Sequence, residues 1–343
     1  MTGFGGWDMP LDYGSVVAEH ASVRESCGVF DLSHLGQVMI TGDGAEATVQ
    51  RALTNDAAGL AVGRAQYTLC LDSDAGIIDD LIVYRLATEA YFAVPNAANA
   101  DAVTAALRDA VTQDADVRAR SWTCLAVQGP RSTEILAAIG IDAAGLEFLD
   151  HVELAGADGE GAADPWVLAR TGYTGERGYE LFVPPDRAER YWDALLEVGA
   201  EPVGLGARDT LRLEMGYPLH GNDISLETTP VEARLGWAVS AGTGFVGEEA
   251  YLRAKEEGRP RRFRGLRVVE RGIPRAGCEV SQDGRVVGTL SSGSFSPTAR
   301  VGIALGYIDT GIELGEAVDI DVRGKTVRAE LVRPPFVDAD PKR

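Results

Sequence analysis

Residues 301–332 read VGIALGYIDTGIELGEAVDIDVRGKTVRAELV, and this stretch decides the fold of the C-terminal part of the chain. Its apolar residues form short runs at 303–308, 317–322 and 327–332, with Gly and Asp at the breaks between them. Two similar runs, at 265–269 and 286–290, precede it. Closely spaced short runs bounded by turn residues predict an all-β domain over residues 264–337, built as a small antiparallel barrel or sandwich.

Upstream of this domain, several apolar segments repeat at helical spacing. Intervals of three and four residues predict helices at residues 16–23, 103–111 and 188–196. Asn99 stands where a cap for the second helix is expected, and Pro185 and Gly199 bracket the third. These three segments indicate that the body of the chain is not all-β.

Between the helices lie short segments with strand character. Residues 81–86 and 91–94 are rich in β-branched or aromatic side chains and are bounded by turn residues. The fold class expected is therefore α+β, with a body over residues 1–255. The charged stretch 253–264 is interpreted as a solvated linker to the β domain.

Composition argues against several classes of function. The chain of 343 residues carries 52 acidic and 32 basic side chains, and a formal charge of -20 makes nucleic acid an unexpected partner. With no signal-peptide pattern and no 18-residue apolar run, we expect a cytoplasmic protein without membrane spans.

The four cysteines form no C-x-x-C pair, which fits buried thiols in a reducing compartment. No histidine pair has the H-x-x-x-H spacing, so we expect structural histidines and no metal site.

Two adjacent carboxylates, Asp79 and Asp80, stand at the start of a very apolar strand pattern. Successive side chains of a strand point to opposite faces, so one carboxylate can face solvent or a turn while the other is aimed into a cavity. A carboxylate placed in a cavity can act as a base or stabilise a developing cation. The alternative, that both cap a hairpin turn, stays open on this segment alone.

Two further segments carry residues suited to binding. The run RTGYTGERGYE at 170–180 has three glycines, and its Tyr173 and Glu180 can offer an apolar face and a carboxylate to a planar ring, although a polar hairpin also explains it. Arg208 and Arg212 share a helical face, where one can bind a carboxylate in a fork while the other pairs with Asp209 or Glu214. Structural ion pairing explains the two arginines equally well.

Taken together, the motifs resemble the glycine cleavage T-protein family, in family order over nearly the whole chain. They are FGGW at 4–7, MP at 9–10, EH at 19–20 with Arg24, FDLSH at 30–34, GIIDDLIVY at 76–84, QGP at 128–130, the run at 170–180, GLGARDTLRLE at 204–214, GND at 221–223, TP at 229–230, LGW at 235–237, FVG at 245–247, SG at 292–293, SPT at 296–298 and PF at 335–336. Each motif alone is weak, but their joint occurrence is specific.

This resemblance implies three domains in a clover-leaf arrangement around a central folate site, the last domain being a β-barrel. It implies an aminomethyltransferase that takes its one-carbon unit from the lipoyl arm of H-protein, releases ammonia and forms 5,10-methylenetetrahydrofolate from tetrahydrofolate. Asp80 matches the essential aspartate of the family. The resemblance places the following residues at the folate site: Tyr67, Tyr84, Asn96, Tyr173, Glu180 and Arg208.

Two other functions share this folate-binding body. One is a folate-dependent demethylase or sarcosine-oxidising relative, which often carries a flavoprotein domain for which 343 residues leave no room. The other is a non-catalytic folate-binding protein of iron–sulfur assembly or tRNA maintenance. Those proteins are usually shorter and lack Asp79 and Asp80 together with Arg208, so the constellation favours catalysis.

Overall fold

The structure is a computed structural model and describes residues 1–154 and 166–343. The first elements along the chain are β1 (Thr2–Phe4), β2 (Trp7–Met9), α1 (Val16–Glu25), β3 (Gly28–Asp31), β4 (Val38–Thr41), α2 (Ala45–Ala52), β5 (Ala65–Leu71), β6 (Ile77–Ala87), β7 (Ala90–Val94), α3 (Ala100–Asp109), β8 (Asp116–Ala119) and β9 (Thr123–Gln128). The next are α4 (Ser132–Ala138), β10 (His151–Leu154), β11 (Trp166–Ala169), β12 (Gly178–Val183), α5 (Pro185–Glu197), β13 (Glu201–Pro202), α6 (Leu205–Met215) and α7 (Glu248–Glu257). The last are β14 (Arg261–Val268), β15 (Glu279–Gln282), β16 (Arg285–Ser296), β17 (Val301–Asp309), β18 (Ala317–Val322) and β19 (Lys325–Val332).

Two sheets in the body face each other across a shared core. One has strand order β5-β6-β7-β4-β8 and is antiparallel throughout, and the other has order β10-β11-β12-β9-β3-β13, with β13 and β3 parallel. The core between them includes the buried rings of Phe30, Tyr84, Phe92 and Phe182. The outer face of the first sheet packs on α2 and α3, and that of the second on α4 and α5. The sheets therefore form the two inner layers of a four-layered body.

The C-terminal strands close into a six-stranded antiparallel barrel of order β14-β17-β16-β15-β18-β19. Its interior is filled by aliphatic side chains such as Leu266, Leu290 and Ile320. The α+β class with a C-terminal antiparallel barrel is confirmed. Five of the six barrel strands were predicted from the sequence, and the exception is β15, which has only four residues and a single buried side chain.

Helix α6 joins the body to the barrel through buried charges. Glu214 accepts hydrogen bonds from Arg24 of α1 at 2.8 Å and from Ser296 Oγ of the barrel at 2.5 Å. Arg212 forms ion pairs with Asp209 and Asp223, each at 2.7 Å. One of the two arginines was expected to pair with Asp209 or Glu214, and the structure shows that it is Arg212, which pairs with Asp209. Glu214, the other expected partner, is instead the acceptor that ties three elements together.

The predicted helices are confirmed as α1, α3 and α5, and the segments 81–86 and 91–94 lie in β6 and β7. Val111 falls beyond the end of α3, and Asn99 is the N-cap residue without a capping hydrogen bond from its side chain. The linker interpretation of residues 253–264 is wrong, because this stretch contains the end of α7 and the start of β14. Within the described residues, no helix has the length and apolarity needed to span a membrane.

Candidate active site

A cavity of about 400 Å³ lies in the body, between β6, β12 and α6 and the loops beside them. The structure brings together all seven residues singled out from the sequence, which line this cavity: Tyr67, Asp80, Tyr84, Asn96, Tyr173, Glu180 and Arg208. They come from segments more than 140 residues apart in the chain, so the fold is what assembles them. A pocket of this size with a few converging polar groups is suited to a small organic ligand.

Asp80 lies inside β6 and is aimed into the cavity. Its Oδ2 accepts a hydrogen bond from the Tyr67 hydroxyl at 2.9 Å, and its Oδ1 lies 3.2 Å from Nδ2 of Asn96. Burial raises the pKa of the carboxyl, while the hydrogen bond from Tyr67, the proximity of His220 and the bond from Asn96 act against that rise. Among the described residues, no Lys or Arg forms an ion pair with Asp80.

Asp79 lies on the opposite face of β6 and is fully buried. It accepts hydrogen bonds from the backbone N–H and Nδ2 of Asn96, both at 2.8 Å, and from Nδ2 of Asn99 at 2.7 Å. Burial and the neighbouring Asp80 raise its pKa to about 7. The hairpin-cap alternative is wrong, because both carboxylates lie within a strand. The expectation that one carboxylate faces solvent or a turn is also wrong.

Glu180 stands on β12 and is held by two hydroxyl donors. Thr171 Oγ1 donates to its Oε2 at 2.5 Å, and the Tyr84 hydroxyl lies 3.3 Å from the same oxygen. Burial raises the pKa of Glu180, whereas these two hydrogen bonds and the nearby Arg208 lower it, and the effect of burial is the larger. A Cβ at Gly172 in the preceding loop would lie 2.1 Å from Oε1 of Gln128, so a side chain there would displace this buried, hydrogen-bonded amide. The glycine-rich run is therefore a tight turn that brings Glu180 and Tyr173 to the cavity wall.

Arg208 is the cationic residue of the cavity wall. Its guanidinium lies 4.6 Å from the centroid of the Tyr173 ring, and the Tyr173 hydroxyl in turn donates to the carbonyl of Pro218. The Nε of Arg208 is buried without a hydrogen-bond partner, and within the described part of the chain no carboxylate forms an ion pair with it. Burial lowers its pKa. Arg208 is therefore positioned by stacking and keeps its donors available for a ligand.

Several other residues of the cavity wall were not predicted from the sequence. Besides aliphatic side chains, the wall includes Asn55, Gln66, Phe148, Tyr217 and Trp237. Trp237 stacks on Tyr67 with ring centroids 5.0 Å apart, although 68% of its surface is exposed, so it lies at the rim. The LGW motif at 235–237 contained this residue, and an exposed tryptophan beside a site aromatic was the signal that could have identified it.

The histidines differ from the expectation at two positions, His34 and His151, the second of which is buried with Nδ1 unpartnered. His20 is satisfied by Thr210 at 2.8 Å and Thr298 at 2.9 Å, as expected of a structural histidine. His34 is buried with both ring nitrogens unpartnered, and burial lowers its pKa to about 4. Within residues 1–154 and 166–343, no cluster of three or more His, Cys, Asp or Glu is arranged to hold a metal ion.

Comparison with known proteins covers nearly the whole chain. Residues 1–243 match the profile of the GCVT N-terminal domain, and residues 261–338 match that of the glycine cleavage T-protein C-terminal barrel domain. The chain is 47% identical to an aminomethyltransferase of Mycobacterium tuberculosis over 97% of this chain and 92% of that protein. It is 46% identical to one of Frankia alni over 100% of this chain and 95% of that protein.

The solved structure of glycine cleavage system aminomethyltransferase T from Bartonella henselae has the same fold. It superposes with a TM-score of 0.93 at 36% identity, covering 99% of this chain and 94% of that one. The body and the barrel therefore match together, in one arrangement. These profiles, relatives and structure show that the chain belongs to the glycine cleavage T-protein family and is an aminomethyltransferase of the glycine cleavage system.

Proposed function

We propose that the cavity binds tetrahydrofolate and that Asp80 is the catalytic carboxylate. The one-carbon unit would arrive as an aminomethyl group on the lipoyl arm of H-protein. Its bonds to the amino nitrogen and to the lipoyl sulfur would be replaced by bonds to two nitrogens of tetrahydrofolate, which releases ammonia and the dihydrolipoyl arm and forms 5,10-methylenetetrahydrofolate. Tetrahydrofolate supplies the nitrogen nucleophiles that accept the carbon. The chain's own residues bind the folate, orient it and stabilise the charge that develops during transfer.

The observation that carries this proposal is the environment of Asp80. Its carboxylate faces a largely apolar cavity and is oriented by Tyr67 and Asn96, two neutral donors, at 2.9 and 3.2 Å. Loss of ammonia leaves a cationic, iminium-like carbon, and a fixed carboxylate without a Lys or Arg partner stabilises such a charge without having to reorganise. A carboxyl whose pKa is raised by burial is also suited to hold and return a proton of the folate nitrogens.

The remaining residues fit a reduced pterin. Tyr84 and Ile82 contribute apolar wall, and Glu180 and Asn96 offer polar atoms for the edge of the ring. Glu180 is pre-oriented by Thr171, so little side-chain freedom is lost when it binds a ring N–H. Orientation of the reacting nitrogens beside Asp80 then provides part of the rate enhancement.

Arg208 fits the anionic end of the same ligand. Its buried Nε lacks a partner, and its guanidinium is held over Tyr173, so a planar fork of donors is available to a carboxylate. Folate carries carboxylates on its glutamate part, and Arg208 is proposed to bind one of them. The alternative is that Arg208 pairs with a carboxylate of the site itself and not with one of the ligand.

H-protein is proposed as the protein partner, with its lipoyl arm entering past Trp237 at the exposed rim of the cavity. We propose that the reaction takes place in the cytoplasm. Four free cysteines, three of them buried, fit a reducing compartment.

Two measurements test this function. Ammonia release from aminomethylated H-protein is followed with and without tetrahydrofolate, and we expect strong stimulation by tetrahydrofolate. Titration of the protein with tetrahydrofolate is followed by the fluorescence of Trp237, using Trp237→Phe as the reference for signal from the other tryptophans. Ammonia release that ignores tetrahydrofolate, or a titration with no saturable binding, would contradict the proposal.

A further inference from the structure

Asp79 is a buried carboxylate that the proposed mechanism leaves without a role. It is 0% exposed, lies on the face of β6 that points away from the cavity, and carries three hydrogen bonds from two asparagines. Burying a carboxylate is costly unless its oxygens are satisfied, so the arrangement needs an explanation. Its three donors come from Asn96, which lines the cavity, and from Asn99, which does not.

The side chain of Asn96 lies between the two aspartates. Its Nδ2 is 2.8 Å from Oδ1 of Asp79, 2.9 Å from the main-chain oxygen of Asp80 and 3.2 Å from Oδ1 of Asp80. All three neighbours are acceptors, and the amide nitrogen is the only donor group of the side chain. If the amide were flipped, its oxygen would face these oxygens and the hydrogen bonds would be replaced by repulsion. Asp79 and Asp80 therefore fix which end of the Asn96 amide points into the wall.

The fixed orientation leaves Oδ1 of Asn96 for the cavity. In the described structure this oxygen accepts no hydrogen bond from the protein, and Asn96 is partly exposed where it lines the cavity. The site thus presents an acceptor at this point. An acceptor recognises an N–H group and disfavours a ring nitrogen that carries only a lone pair.

We propose that Asp79 is a positioning residue that, through Asn96, makes the cavity select the reduced pterin over the fully oxidised one. The tetrahydropterin ring has N–H groups at its reduced nitrogens, whereas the oxidised ring has lone pairs at those positions. This inference rests on the proposed function. It assigns to Asp79 ligand selectivity and orientation, and no contact with the reacting atoms.

The substitution Asp79→Asn tests the orienting role. In the wild type, the two carboxylate oxygens of Asp79 accept all three hydrogen bonds from Asn96 and Asn99. In Asp79→Asn one of these oxygens becomes an amide NH₂, which places a donor opposite a donor. The Asn96 amide then loses its bond to Asp79 and is held only by the main-chain oxygen and Oδ1 of Asp80, so its orientation toward the cavity is less firmly fixed. The affinity for tetrahydrofolate should fall about tenfold while that for folic acid changes little or improves, which is the size of one exchanged hydrogen bond.

The experiment compares dissociation constants for tetrahydrofolate and folic acid, under anaerobic conditions, in the full-length protein. Asn99→Ala is the matched control, since it removes one bond to Asp79 without touching Asn96, and its ratio of the two constants should equal that of the wild type. In a double-mutant cycle with Asn96→Ala, the loss of selectivity caused by Asp79→Asn should disappear. A thermal melt of each variant shows whether it is folded.

The outcomes separate this inference from the proposed function. If the wild type binds tetrahydrofolate but Asp79→Asn keeps its selectivity, or the two substitutions act additively, the role of Asp79 is refuted while the function stands. If the wild type binds both ligands equally, the selectivity is refuted. If Asp79→Asn fails to fold, Asn96→Ala alone must still lose selectivity, and retention there overturns the inference. If the wild type binds neither ligand, the proposed function itself is wrong.

Discussion

The hydroxyl of Tyr67 on β5 lies 2.9 Å from Oδ2 of Asp80 on the neighbouring strand β6 and donates a hydrogen bond to it. This bond holds the carboxylate in one orientation and favours its charged form. The ring of Tyr67 is itself held by stacking against Trp237. Orientation of Asp80 therefore depends on a strand pair in the interior and on a tryptophan at the rim.

Tyr67→Phe keeps the ring but removes the donor to Asp80. Because the hydrogen bond lowers the pKa of Asp80 against the effect of burial, its loss should raise that pKa further. The acidic limb of the pH–turnover profile should move to higher pH, with turnover reduced about tenfold below it. The profile of ammonia release between pH 5 and pH 9 checks this. Tyr91→Phe is the control, since the Tyr91 hydroxyl donates to the carbonyl of Ala57 and not to Asp80. If the pH profile of Tyr67→Phe is not shifted, Tyr67 does not orient Asp80.

Arg208→Lys tests the binding cation. Lysine keeps the charge but loses the planar stack on Tyr173 and the fork of donors, so the affinity for tetrahydrofolate should fall about tenfold. The melting temperature should change little, since Arg208 has no ion-pair partner among the described residues. Arg131→Lys, at an exposed helix end, is the matched control. Unchanged affinity in Arg208→Lys would make Arg208 a structural residue.

Glu214→Gln tests the joint between body and barrel. Burial would raise the pKa of Glu214, but the contacts from His20, Ser296 and Arg24 outweigh it and lower the pKa to about 2. Since the folded-state pKa is lower than the unfolded one, this group stabilises the fold above about pH 4.5, and the contribution is lost as the pH falls toward 2. The substitution leaves Arg24 buried without its charge partner and should cost about 3 kcal/mol at pH 7.

Denaturant unfolding at pH 7 and at pH 3.5 measures both effects in Glu214→Gln. The wild type should lose more stability than the variant between these two pH values, because only the wild type has this carboxylate to protonate. Glu134→Gln, on the exposed surface beside Arg131, serves as the control. Equal losses in wild type and Glu214→Gln would show that Glu214 does not stabilise the fold through its charge.

The charge of -20 predicts a response to salt. Repulsion among exposed carboxylates destabilises the compact state, and salt screens it. The melting temperature should therefore rise as potassium chloride is increased from low to molar concentration. A melting temperature that stays constant or falls as salt is added would refute the view that repulsion among the acidic side chains destabilises the fold.

The parts of the fold that were predicted from sequence are those with regular local patterns. Alternating short runs identified five barrel strands, and helical spacing identified α1, α3 and α5. Helix α7 was missed because Glu248–Glu257 has few buried residues, so its charge dominates the pattern. The burial of Asp79 was missed because it depends on α3 and its preceding loop packing on β6, which no local pattern reports.

The site residues that lie in sequence motifs were predicted, and those whose position depends on tertiary packing were missed. Asp80, Glu180 and Arg208 lie in recognisable motifs, and the structure brings them to one cavity. Phe148 reaches the same cavity from a loop and Trp237 from a short 3₁₀ helix, Gly236–Ala238, and the positions of both follow from tertiary contacts. Alternation along the strand correctly separated Asp79 from Asp80, but it could not show that the second face is buried against helices rather than open to solvent.

Turnover of Asp80→Asn tests the central claim most directly. Asparagine keeps the size and most of the hydrogen bonding but removes the charge, so turnover should fall on the order of 100-fold or more while tetrahydrofolate affinity changes much less. The assay is ammonia release from aminomethylated H-protein with tetrahydrofolate present, together with a folate titration and a thermal melt. Asp74→Asn, exposed in the turn of the same hairpin, is the control and should leave turnover unchanged. A folded Asp80→Asn variant with near-normal turnover would contradict the assignment of Asp80 as the catalytic carboxylate.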